Sequence, residues 1–208
     1  MNKLINKAQM LAIFTISYNI IEGIVSVFFG AEEETLALFG FGLDSFVEVF
    51  SGVGILHMVL RMQKSEVNQR DNFERTALKI TGNSFYVLSA GLIVGSILNI
   101  IYQHKPETTF AGIIISIVSI FTMYFLMNAK LKVGKKLNSD AIIADANCTK
   151  TCFYLSFVLL FSSTFYEIFQ IGYLDVLGSL GIAYFSFKEG KEAIEKSKSE
   201  KLACSCHN

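Results

Sequence analysis

The chain has 208 residues with 18 basic and 18 acidic side chains, so its net charge of zero gives no sign of a nucleic-acid partner. Hydrophobic residues make up 52% and charged residues only 17%, where a soluble domain averages about 25% charged, and mean hydropathy is +0.47. That excludes an ordinary soluble domain. The cysteine spacing also excludes a small disulfide scaffold.

Six apolar segments approach or exceed the roughly 20 residues that a membrane-crossing helix needs. They cover residues 8–30, 34–60, 76–103, 109–129, 139–166 and 172–188. The opening MNKLINKAQMLAIF runs straight into the first segment without a small-residue cleavage site. It is expected to be a retained span rather than a signal peptide. The third segment carries Gly91 and Gly95, a GxxxG pair suited to close helix packing or a dimer face.

The connections alternate in charge. Lys3 and Lys7 precede the first span, and Arg61, Lys64, Arg70, Arg75 and Lys79 surround the second connection. Lys130, Lys132, Lys135 and Lys136 mark the fourth, and Lys188, Lys191, Lys196, Lys198 and Lys201 follow the sixth span. The opposite side has only Lys105. Positive charge marks the cytoplasmic face. The expected fold is an all-α membrane protein, a six-transmembrane-helix bundle with both termini cytoplasmic, in the bacterial cytoplasmic (inner) membrane. Residues 1–190 would form the transport domain and 191–208 a short cytoplasmic tail.

Two spans carry polar pairs where lipid-like residues are expected. Asp44 and Glu48 lie in the second span, and Cys148 and Cys152 in the fifth. Each pair has i, i+4 spacing, which places both members on one helix face. An intramembrane carboxylate is costly and reads as functional by default. Buried cysteines alone are commonly small hydrophobes, but this pair shares spacing and depth with the acids. Counting from the span ends, Asp44 would lie level with Cys152 and Glu48 with Cys148. Two oxygens and two sulfurs at one level form a plausible tetrahedral site for a divalent ion. Mixed thiolate and carboxylate donors favour Zn²⁺ or Cd²⁺ over Mg²⁺ or Ca²⁺.

Further polar residues surround these four. Asp145 continues the fifth-span face and could be an outer-sphere group, a proton relay, an extra ligand, or part of a wet vestibule. Glu22 and Lys150 sit deep in the first and fifth spans and are expected to pair. Asn19, one turn from Glu22, would line the same cavity. Cys204, Cys206 and His207 end the chain as a C-x-C-H segment, read either as soft-metal capture or as a solvated end with incidental thiols.

The arrangement resembles the cation diffusion facilitator family of metal–proton antiporters across all six spans. LDSFVE matches that family's Asp-x-x-x-Asp as Asp44 and Glu48. ADANCTKTC matches a segment that usually reads Ala-Asp-x-x-His-x-x-x-Asp, with Cys148 at the His and Cys152 at the Asp. Asp175 matches the acidic start of the sixth span. The two fifth-span cysteines depart from the family pattern, and a short Cys-bearing tail stands where the family has a cytoplasmic metal-binding domain. The resemblance implies a transmembrane-only branch that exports metal as a homodimer held by its membrane part.

Taken together, these residues favour a secondary transporter, not an enzyme. It would move Zn²⁺ or Cd²⁺ out of the cytoplasm in exchange for protons, with no permanently bound cofactor. Thiols must lose protons to bind metal, which links the two fluxes. Alternatives are a Cu(I) or other soft-metal transporter, a membrane thiol oxidoreductase using Cys148 and Cys152, or a metal sensor that binds without transport. No nucleotide-binding loop is present to drive transport with ATP.

Overall fold

The computed structural model describes residues 2–64, 72–102, 106 and 108–199, excluding the side chains of residues 2, 62–64, 140, 141, 144, 147 and 148. Among the described residues there are six helices and no strand: α1 (Asn2–Glu32), α2 (Leu36–Lys64), α3 (Asn72–Tyr102), α4 (Phe110–Leu137), α5 (Asp140–Phe169) and α6 (Tyr173–Lys198). All six expected spans are helices, each extended beyond its apolar run at one end or both.

The helix ends have local causes. Asn138 ends α4 in the left-handed conformation at φ 49°, after Lys135 and Lys136 in the last turn, where cations favour the helix dipole. Ser139 caps α5 by accepting from Ile142 N–H. On the opposite side, carboxylates from neighbouring helices meet the free N–H groups of two helix starts. Asp175 accepts from Leu36 N–H at 3.0 Å and Ala37 N–H at 3.2 Å. Glu167 accepts from Thr109 N–H at 3.0 Å, and Glu33 from Ala111 N–H at 3.2 Å. Such ends would otherwise leave buried donors unmatched.

The helices pair as antiparallel neighbours, α1 on α2, α3 on α6 and α4 on α5. Small residues set the separation. A Cβ at Gly30 would stand 2.5 Å from Phe39 N, and one at Gly42 2.7 Å from Val27 N. Side chains at either position would force α1 and α2 apart.

Among the described residues, five helices, α1 to α5, are long and apolar enough to cross a membrane. Charged residues from Lys188 onward keep α6 below that level. It runs beside α3 nonetheless. Ser96 meets Ser179 at 2.7 Å, Ser89 Oγ donates to Ala183 O at 2.9 Å, and Gly82 packs on Gly190. The polar face of α6 is thus matched by α3 rather than shown to lipid. The outward surface carries Phe161, Phe165 and Phe169 in a stacked row on α5. It also carries Val87, Val94 and Ile101 on α3. An exposed apolar belt of this kind is stable only against lipid.

Among the described residues, the two larger of three apolar clusters stack along the bundle. One joins Leu38, Phe41, Phe85, Leu88, Leu155, Leu159 and Ile182. The other joins Ile5, Ala8, Met58, Val59, Val133 and Ile142 at the ends where Lys and Arg gather, called here the basic side. Polar residues of α1, α2, α5 and α6 lie between them.

Candidate metal site

Asp44 and Glu48 project from α2 into that polar layer. Asp44 is buried at 3% exposure, and Ser186 Oγ of α6 donates to its Oδ1 at 2.6 Å. Glu48 is bound from two other helices. Cys152 Sγ of α5 donates to Oε1 at 2.6 Å, and Asn19 Nδ2 of α1 donates to Oε2 at 3.0 Å. Asn19 is buried at 1% exposure, and its Oδ1 has no hydrogen-bond partner among the described residues.

The thiol–carboxylate contact across α2 and α5 therefore exists, but its register differs from the expectation. Cys152 meets Glu48, not Asp44. The residue count itself makes this pairing: Cys152 stands 14 residues before the expected outer end at 166 and Glu48 14 residues after that at 34, against 10 for Asp44. The Cys148 side chain lies outside the described residues, as do Cys204, Cys206 and His207. Among the described residues, no three of His, Cys, Asp and Glu are grouped closely enough to share an ion.

The expected Glu22–Lys150 pair is not made. Glu22 is buried at 6% exposure and takes hydrogen bonds from Tyr18 at 2.9 Å and Ser45 at 3.0 Å. Lys150 is exposed, with Nζ 5.7 Å from the centre of the Tyr154 ring. The reason is geometric: α1 packs on α2 and α4, and Lys150 points away from the α5 face that carries Cys152.

Two lysines line the cavity instead, Lys196 of α6 and Lys130 of α4, and it is Lys130 that pairs with Asp145. For Lys130, the contacts are close. Its Nζ lies 2.9 Å from Asp145 Oδ2 and 3.0 Å from Thr149 Oγ1, with the whole residue at 1% exposure. Sequence reasoning placed Lys130 among the solvated basic residues of a connection. Its spacing from Ser119, Met123 and Leu126 marks it as a member of the buried face of α4. Ser186 and Glu189 were also missed. Glu189, in the charged end of α6, accepts from Thr151 Oγ1 of α5 at 2.8 Å.

A cavity of about 60 Å³ connects these groups. Asn19, Glu48 and Cys152 line one end, Lys130 and Asp145 the other, with Thr149 and Glu189 along the wall. At roughly 10–15 Å³ per water it has room for only a few waters. An ion inside must therefore exchange much of its hydration for protein donors. Its lining runs from the acid–thiol contact toward the basic side, through Thr149 and Asp145 of α5 to Lys130 of α4.

The bundle thus encloses carboxylates, a thiol and a cavity lined by both apolar and charged side chains. The cation efflux transmembrane domain matches residues 10–200, and the chain belongs to that family. It is thus an integral membrane protein of a family of metal cation transporters, not of an enzyme class. No curated protein matches the chain.

Proposed function

We propose that the protein exports a divalent transition-metal ion, Zn²⁺ or Cd²⁺, from the cytoplasm in exchange for protons, through Asp44, Glu48, Cys148 and Cys152. The observation that carries this reading is the 2.6 Å contact between Cys152 Sγ and Glu48 Oε1, deep in the bundle at the end of a cavity. The proton in that contact sits where a metal ion would bridge sulfur and oxygen. Binding the ion releases the thiol proton, and returning a proton releases the ion. Asn19 Oδ1, buried and without a partner among the described residues, supplies a neutral oxygen beside the same contact.

Positive charge assigns the basic side to the cytoplasm, so the cavity loads from within. Asp44 would join when the contact opens and Ser186 yields its hydrogen bond. Alternation then needs the outer core to part while the basic side closes, the general behaviour of midplane sites. The resemblance to cation diffusion facilitators supports a homodimer in the cytoplasmic membrane of a bacterium.

The test is flux in proteoliposomes, with Zn²⁺, Cd²⁺ and Cu(I) offered with and without a pH gradient. Divalent flux that follows the gradient and is lost in both Glu48→Ala and Cys152→Ser supports the reading. Cu(I) flux that survives Glu48→Ala refutes it, as does metal binding without any flux.

A further inference from the structure

Lys130 poses a physical question. A transporter of cations keeps a buried ammonium in the cavity through which the cation must enter. Two carboxylate oxygens of Asp145 flank its Nζ, Oδ1 at 3.0 Å and Oδ2 at 2.9 Å. Thr149 Oγ1 adds a third oxygen at 3.0 Å and itself donates to Asp145 O at 3.2 Å. Three oxygens from one turn of α5 thus surround a positive charge supplied by α4. Lys130, Asp145 and Thr149 all line the cavity that ends at Glu48 and Cys152, and Thr149 is three residues from Cys152 on α5.

A purely structural clamp between α4 and α5 has no need of this chemistry. Those helices already interlock through Ser119 and Ser156 at 2.8 Å and through the Met123, Leu126 and Cys152 cluster. Replacing a buried ion pair with apolar residues is often neutral or stabilising, so its presence on the ion path calls for another role. The oxygen set around the ammonium is one that also suits a divalent ion.

We propose that Lys130 is a tethered stand-in for the cargo. Its ammonium occupies the Asp145 oxygens in the metal-free carrier, and a divalent cation entering from the basic side displaces it, making Asp145 a transient binding carboxylate on the entry route. Lys130 acts through Asp145 and is a positioning residue for the ion. It has two consequences. The competing ammonium keeps the entrance from retaining the ion, so cargo moves on to Glu48 and Cys152. The displaced charge also favours release of the thiol proton next to the ion. The inference rests on the cation-export reading above.

The experiment measures Zn²⁺ flux into proteoliposomes as a function of Zn²⁺ concentration, with melting temperatures in detergent as a control for folding. The proteins are wild type, Lys130→Gln, Asp145→Asn and the double variant. Lys130→Gln leaves Asp145 uncontested, so KM falls about tenfold and the maximal rate falls with it, on the scale expected for a partly screened charge pair. Asp145→Asn removes the binding carboxylate and leaves the ammonium to repel the ion, so KM rises. The double variant has neither charge, and its KM returns toward wild type. An unchanged or raised KM in folded Lys130→Gln overturns the proposal. If Lys130→Gln does not fold, an unchanged KM in Asp145→Asn overturns it and a raised KM supports it. Absence of Zn²⁺ flux in wild type would instead refute the export reading itself.

Discussion

Gly42→Ala is a one-methyl change that separates the geometry of the site from its chemistry. Gly42 lies on α2 two residues before Asp44, and an added Cβ would stand 2.7 Å from Val27 N, 2.8 Å from Ser26 Cβ and 2.9 Å from Val27 Cγ2. Ordinary contact begins near 3.4 Å, and backbone on α1 has no side-chain rotation with which to retreat. The helices must therefore part locally by about 0.7 Å. The Asn19–Glu48 hydrogen bond crosses the same α1–α2 interface at 3.0 Å. A shift of that size takes it to or beyond the 3.5 Å at which such a bond ceases to hold. Overpacking of this kind costs roughly 1–3 kcal/mol, and the weakened bond adds up to about 1 kcal/mol. The assay pairs a thermal melt in detergent with Zn²⁺ flux in proteoliposomes. The melting temperature should fall and flux should drop, although no charged or metal-binding side chain has changed. A variant with wild-type stability and wild-type flux would show that α1 does not hold Glu48 in place.

Three further outcomes follow from the geometry. Lys150→Gln should leave Zn²⁺ flux and stability unchanged, since Lys150 is exposed with its Nζ over the Tyr154 ring; loss of flux would restore it to the site. Ser186→Ala removes the hydroxyl that holds Asp44 and leaves a buried carboxylate oxygen undersatisfied, costing about 1–3 kcal/mol in a melt; an unchanged melting temperature would refute that contact. Glu33 lies between the first two spans. Burial, opposed by the Ala111 N–H and reinforced by Glu167 and Glu32, holds its carboxyl above the ordinary 4.5. The folded state therefore favours the protonated form, and that contribution is complete below the ordinary value and lost as pH rises through the raised one. Glu33→Gln, always neutral and still able to accept from Ala111, should gain stability relative to wild type as pH rises from the ordinary carboxylate value through the raised one. A difference that stays constant or shrinks over that range would contradict this.

The helical frame was legible because hydropathy and the placement of Lys and Arg report directly on lipid contact. The acid pair and its opposing thiol were legible because charges and cysteines at i, i+4 stand out in apolar runs. Their register was legible too, since counts from either pair of expected span ends set Cys152 level with Glu48, but the expectation paired it with Asp44. Lys130 was misplaced for a different reason. Basic residues near a helix end are read together as a cytoplasmic mark, and the 119, 123, 126, 130 spacing that sets one of the four on the buried face of α4 was overlooked. Ser186 escaped notice because a serine in a helix carries no signal until its partner is known.

The composition of the metal site is most directly tested by X-ray absorption at the zinc edge on the purified protein, comparing wild type with Cys152→Ser and Glu48→Gln at one equivalent of Zn²⁺. The account predicts sulfur scatterers near 2.3 Å together with oxygen near 2.0–2.2 Å. It also predicts loss of one sulfur in Cys152→Ser and loss of oxygen in Glu48→Gln. A wild-type spectrum without sulfur, or one unchanged by Cys152→Ser, would contradict the site at the α2–α5 contact.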